Sequence, residues 1–169
     1  MEATAERPIP WRPFLGLTIC TLFGWFAFVR GVNVPLLSLV DLGFHELGHL
    51  VTYPFPDLVT ASMGSITQIA VPFGLAVYFA TVRKDSLGFS FCLAWAATSA
   101  QNVSVYVADA PFQALPLIGG EHDWAFILGR LSHVDDAAAI AGAVEGIGMV
   151  FLAFAAGMCV LELWTTSPR

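Results

Sequence analysis

From Leu87 to Ala108 the chain runs for 22 residues without one charged side chain, and the stretches 14–29 and 59–82 carry none either. Runs of this kind leave little choice of structure. In hydrocarbon every backbone N–H and C=O must be satisfied within the chain, which a helix achieves locally. A helix needs roughly 20 mostly apolar residues to cross a bilayer core about 30 Å thick. Five stretches approach that length: 14–30, 34–53, 59–82, 87–108 and 137–164. The breaks between them are short. "YPFPDL" (53–58) holds Pro54 and Pro56, which disfavour helix on either side, and "RKDS" (83–86) is a polar turn. Pro72, inside the third stretch, predicts a kink. The expectation is an all-α integral membrane protein, a single domain of about five transmembrane helices in a compact bundle. One long loop, 109–136, precedes the last helix.

Composition agrees: 12% of residues are charged and 57% hydrophobic, whereas soluble domains carry about 25% charged residues. The net charge of −6 argues against nucleic acid, which calls for a basic patch. Cys20, Cys92 and Cys159 all fall in apolar stretches, so no disulfide is expected. The first apolar run is followed by Arg30-Gly31 rather than a small-x-small site, and reads as a retained first helix. Five alternating spans would put Arg7, Arg12 and Arg130 on one side, and Arg30, Arg83, Lys84 and Arg169 on the other. That division sets no orientation under the positive-inside rule. The expected location is the cell membrane, with lipid as the surrounding partner.

Two histidines and a glutamate interrupt the second stretch, in "FHELGHL" (44–50). An ionisable group at bilayer depth costs at least about 2.5–3.5 kcal/mol, so three together ask for a function. His45-Glu46-Leu47-Gly48-His49 fits H-E-x-x-H. Residues four apart share a helix face, so both imidazoles can reach one metal ion. Zinc suits two histidines, a third protein ligand and an open position. Glu46 lies one residue round from His45, outside the ligand positions, and is the candidate acid/base. Asp41, four residues before His45, is a candidate to hydrogen-bond a ligand imidazole.

The third ligand is open at this level. The second and fourth stretches should run in the same direction, placing the motif and the 109–136 loop on one side. Asp109 is the first candidate, because Asn102, Tyr106 and Asp109 form a polar stripe along one helical face. His122 in "GGEHDW" is the second, with Asp123 beside it as a further alternative. Gln68, well inside the third stretch, is either a cavity amide or a stitch between helices.

"FHELGHL" in a membrane helix, with an aspartate two spans later on the same side, resembles the site-2-type intramembrane zinc metalloproteases. The resemblance covers the second to fourth stretches. It implies cleavage of transmembrane peptide or protein substrates, with His45, His49 and Asp109 as zinc ligands and Glu46 as acid/base. The chain departs from that family after the aspartate, where "VADAPF" (107–112) lacks the family's glycine, and it has no soluble insert.

The expected activity is therefore that of a zinc-dependent membrane hydrolase, foremost an intramembrane metalloprotease. A metal-binding or transport protein and a metal-braced subunit of a membrane complex are the rivals. The 109–136 loop is longer than the usual 12–15 residues. "LPLIGGEHDWAFIL" (115–128) is expected to fold back over the metal as a lid hinged at Gly119 and Gly120, with a short interfacial helix at 124–131.

Overall fold

The computed structural model describes residues 11–117 and 121–166, and all regular structure among them is helical. The expected hinge at Gly119 and Gly120 lies outside the described residues. Helix α1 (Trp11–Gly24) ends in a wide π turn, Trp25–Val29. Helix α2 (Leu37–Thr52) carries the H-E-x-x-H motif. Helix α3 (Asp57–Tyr78) starts behind Pro56, continues through the buried Pro72 and closes in a second π turn, Phe79–Arg83. Helix α4 (Ser86–Asp109) is capped by Asp85, whose carboxylate accepts from the Leu87 and Gly88 amides. Helix α5 (Asp123–Leu131) occupies the long loop, where a short interfacial helix was expected. A 3-10 turn, Val134–Asp136, then leads into α6 (Ala137–Thr166).

Three segments are long and apolar enough to cross a membrane: Trp11–Val29, Asp57–Arg83 and Val134–Thr166. Five spans were expected, and α2 and α4 depart from that pattern for different reasons. At 16 residues α2 is shorter than a crossing of about 20. Helix α4 has the length, at 24 residues, but protein rather than lipid surrounds it. Ala94, Ala96, Ala97 and Ala100 are fully buried, and the hydroxyls of Ser90, Thr98, Ser99 and Ser104 bond to backbone carbonyls or to Asp41. A helix shielded in this way has no need of the hydropathy that lipid contact demands.

Small residues close the seam around α4. A Cβ added at Gly148 of α6 would lie 2.8 Å from the Ala97 carbonyl oxygen, and one at Gly16 of α1 would overlap the Cys159 sulfur. Close backbone approach of this kind is how membrane helices gain van der Waals contact. Cys20, Cys92 and Cys159 are free and buried, as the sequence suggested.

Pairwise contacts fix the helix directions. Helix α1 runs parallel to α4: Arg12 pairs with Asp85 at one end, Phe23 meets Phe91 midway, and Phe28, Ala97 and Ala100 converge at Gly148. Helix α2 is also parallel to α4, through Asp41 to Trp95 and Ser99 and then His45 to Tyr106. Helix α3 opposes both α2 and α4, with His49 against Thr60, His45 against Gln68, and Phe79 against Gly88. Helix α6 opposes α4, as Ser90 reaches Ala155 and Ser86 reaches Glu162.

Consecutive helices α1 and α2 therefore point the same way, and strict alternation fails at this connection. The chain turns back between them through Gly31 (φ 59°) and Leu36 (φ 65°). Positive φ costs glycine little, whereas a leucine there is strained. Helix α2 then starts at depth, roughly one turn before the level where Asp41 meets Trp95 and Ser99.

Candidate metal centre

The two motif histidines sit one turn apart on the face of α2 that packs against α3, and glycine sets the closeness of that packing. A Cβ at Gly48 would overlap the Met63 carbonyl of α3. Opposite the rings, a Cβ at Gly64 would lie 2.6 Å from His49 Nε2 and 2.7 Å from His45 Nε2. The absent side chain at Gly64 leaves a cradle directly against both nitrogens.

Each imidazole is oriented from behind. His49 Nδ1 is 2.8 Å from the Thr60 carbonyl oxygen, which can only accept, so Nδ1 carries the proton. His45 Nδ1 is 3.2 Å from Gln68 Oε1. The Gln68 amide in turn donates to Asn102 Oδ1 at 2.8 Å, and Asn102 donates to Asn33 at 2.9 Å. Protonation at Nδ1 leaves the Nε2 lone pairs facing forward, the arrangement in which imidazoles ligate metals.

Both Nε2 atoms face one carboxylate oxygen. Asp123 Oδ2 lies 3.0 Å from His45 Nε2 and 3.2 Å from His49 Nε2. Two nitrogen lone pairs directed at an anionic oxygen repel unless a positive charge lies between them. Ligand atoms held tetrahedrally at 2.0–2.1 Å from a metal are about 3.3 Å apart, close to the spacing seen. The three donors lie within 4.8 Å of one another. Donor chemistry and the Gly64 cradle both fit a divalent cation.

Asp123 is the first residue of α5, and that helix is pinned from three directions. The Asp123 amide donates to the Tyr106 hydroxyl at 3.0 Å, and the same hydroxyl lies 3.4 Å from Asp123 Oδ2. Trp124 Nε1 donates to Ser65 Oγ of α3 at 3.0 Å. His122 caps the helix, its Nδ1 accepting from the Ala125 amide at 3.2 Å.

Asp109 and His122, the two foremost candidates for the third ligand, are placed together but away from the histidine pair. Asp109 accepts from the Ala114 and Leu115 amides at 3.1 and 3.0 Å as the chain turns after Pro111. His122 Nε2 is buried 3.3 Å from Asp109 Oδ2, outside regular hydrogen-bond geometry. With Nδ1 committed to the α5 cap and the ring stacked on Tyr106, His122 is used in holding α5. The carboxylate beside both imidazoles belongs to Asp123. Asp41 also differs from expectation: it accepts from Trp95 and Ser99, and Gln68 takes the place behind His45.

In front of the donors lies a cavity of about 1130 Å³, bounded by α2, α4 and the segments 31–33 and 115–117. Glu46 lines it together with His45, His49, Asp123, Asn102 and Tyr106. Its exposed lining is mixed: Leu39, Val105 and Leu117 are apolar, and Asn33, Glu46 and Glu121 are polar or charged. Thr60 and Gly64 could not be singled out from the sequence, since one acts through its backbone carbonyl and the other by lacking a side chain. The chain matches no family model, no curated protein and no solved structure.

Proposed function

We propose that this chain is a multi-pass zinc hydrolase of the cell membrane that cleaves peptide bonds within membrane-embedded substrates. The observation that carries the reading is the convergence of His45 Nε2, His49 Nε2 and Asp123 Oδ2 at the wall of a cavity that Glu46 also lines. Bound there, zinc would supply a Lewis acid and make water a nucleophile near neutral pH. His45, His49 and Asp123 are the ligands, and Gln68 and the Thr60 carbonyl hold the two imidazoles in register. Glu46 takes a proton from water in the cavity and delivers one to the departing amine. The polar lining admits the water that hydrolysis consumes, while the exposed Leu39, Val105 and Leu117 suit a substrate arriving from lipid.

Metal analysis and a cleavage assay on the protein purified in detergent test this together. One equivalent of zinc is expected in the wild type and in Glu46→Gln. Cleavage of a reporter peptide containing a transmembrane helix is expected in the wild type alone. Absence of metal from the wild type overturns the site. Stoichiometric metal with cleavage unaffected by Glu46→Gln overturns the acid/base role of Glu46, and stoichiometric metal with no cleavage at all overturns the hydrolase and leaves a bracing or transport role.

A further inference from the structure

The helix directions separate the two ends of the bundle. At one end the start of α1 meets the start of α4 through Arg12 and Asp85, and Ser86 meets Glu162 near the close of α6. The turn carrying Arg83 and Lys84 lies at this end as well, between α3 and α4. At the other end lie the close of α2, the close of α4 and helix α5, and with them the candidate metal centre. Arg30 follows α1 toward this second end, next to Asn33 and its partner Asn102, and Arg130 sits on α5.

The Lys and Arg residues divide unevenly between these ends. Arg12, Arg83 and Lys84 flank helix termini at the first end, and Arg7 and Arg169 precede α1 and follow α6 in sequence. Only Arg30 and Arg130 belong to the second. Alternating spans had divided these charges almost equally. The parallel course of α1 and α4 makes the division three against two among the described residues, and five against two when Arg7 and Arg169 are counted, by sequence alone, with the helices they flank. Short flanks rich in Lys and Arg stay in the cytoplasm, and acidic residues contribute little to that bias.

We propose that the His45–His49–Asp123 centre opens on the non-cytoplasmic side of the membrane, and that both termini of the described chain face the cytoplasm. Metal and water then reach the site from outside the cytoplasm. Resting on the hydrolase reading, this also specifies the substrate class. His45 lies level with Asn102, seven residues before the end of α4, a depth of about 10 Å at 1.5 Å per residue. The substrate is a membrane-inserted peptide cut in the outer half of the bilayer, with the outer fragment released away from the cytoplasm.

Cysteine accessibility tests the orientation without requiring metal or activity. The three native cysteines are buried, so they give a low background. Phe112→Cys, at a position 78% exposed beyond the site end of α4, and Thr166→Cys, at the last described residue of α6, would be expressed in separate cells. A membrane-impermeant maleimide is expected to label Phe112→Cys in intact cells and Thr166→Cys only after permeabilisation. The reverse pattern overturns the proposal, and so does labelling of both positions in intact cells. A fusion of green fluorescent protein after residue 169 guards against misfolded cysteine variants. Fluorescence is expected if the C-terminal end is cytoplasmic, and a dark, membrane-inserted fusion counts against it. A wild type that binds no metal but labels as expected would sink the hydrolase and leave the orientation standing.

Discussion

Helix α4 meets α6 on one side and faces α2 across a gap on the other, and the two sides are filled in different proportions of packing and hydrogen bonding. Toward α6 the contact is made by Ala97, Ala100, Gly148 and Ala155, with backbones close enough that an added methyl would collide. Toward α2 the hydrogen bonds come from Asp41, to Trp95 and Ser99, with ring contacts from Phe44 to Trp95 and from His45 to Tyr106, and the helices part around a cavity of about 1130 Å³. In lipid the burial of apolar surface does little to pull helices together, so contact has to come from packing of small residues or from hydrogen bonds. The α4–α6 seam rests mainly on the first, with Ser90 and Ser86 adding hydrogen bonds to Ala155 and Glu162. The α2–α4 side uses the second, and the polar side chains left over line a space large enough for a ligand. One helix thus serves as the core of the bundle and as a wall of the site.

Four changes would break or sharpen that contrast. The largest effect is expected from Asp123→Ala on the cavity side. Removal of a direct ligand should lower zinc affinity by more than about 100-fold, the upper end for indirect partners. Asp109→Ala should leave affinity closer to wild type than any ligand variant does. Competition against a chelator measures both, and equal losses would show that the two carboxylates share the ion. Next comes Gly148→Leu on the seam. Overpacking against the Ala97 carbonyl should cost about 1–3 kcal/mol of stability, read as a lower unfolding temperature in detergent with the zinc affinity of the folded fraction unchanged. Smallest is Gln68→Leu, which removes the acceptor behind His45. A roughly 10-fold loss of zinc affinity, without a matching fall in the stability of the metal-free protein, would separate ligand orientation from helix packing.

Much of the cavity side could be read from residues alone, and most of the seam could not. The i, i+4 spacing of His45 and His49 requires only a helix, and α2 is one. Choosing among acids required the tertiary path. Asn102 and Tyr106 of the polar stripe do reach the site, but Asp109 comes where the chain turns after Pro111, and the Ala114 and Leu115 amides occupy its oxygens. Asp123 stood in the sequence beside His122 with nothing to show which would enter the site and which would cap α5. The reversal between α1 and α2 left no periodic signal either, because it depends on the backbone conformations of Gly31 and Leu36. Apolar runs count helices; they do not say which run is wrapped in protein, as α4 is.

Asp123 follows His49 by 74 residues, and this separation sets an order of events during synthesis. The paired imidazoles of α2 leave the ribosome well before the carboxylate that completes them. At about 5–20 residues per second the delay is roughly 4–15 s. Throughout that interval α2, α3 and then α4 are present, but α5 has yet to be made and to seat Trp124 on Ser65. A newly inserted chain therefore holds an incomplete candidate ion site until Asp123 and helix α5 have been translated. Any activity that depends on the ion begins only once that part of the protein is built.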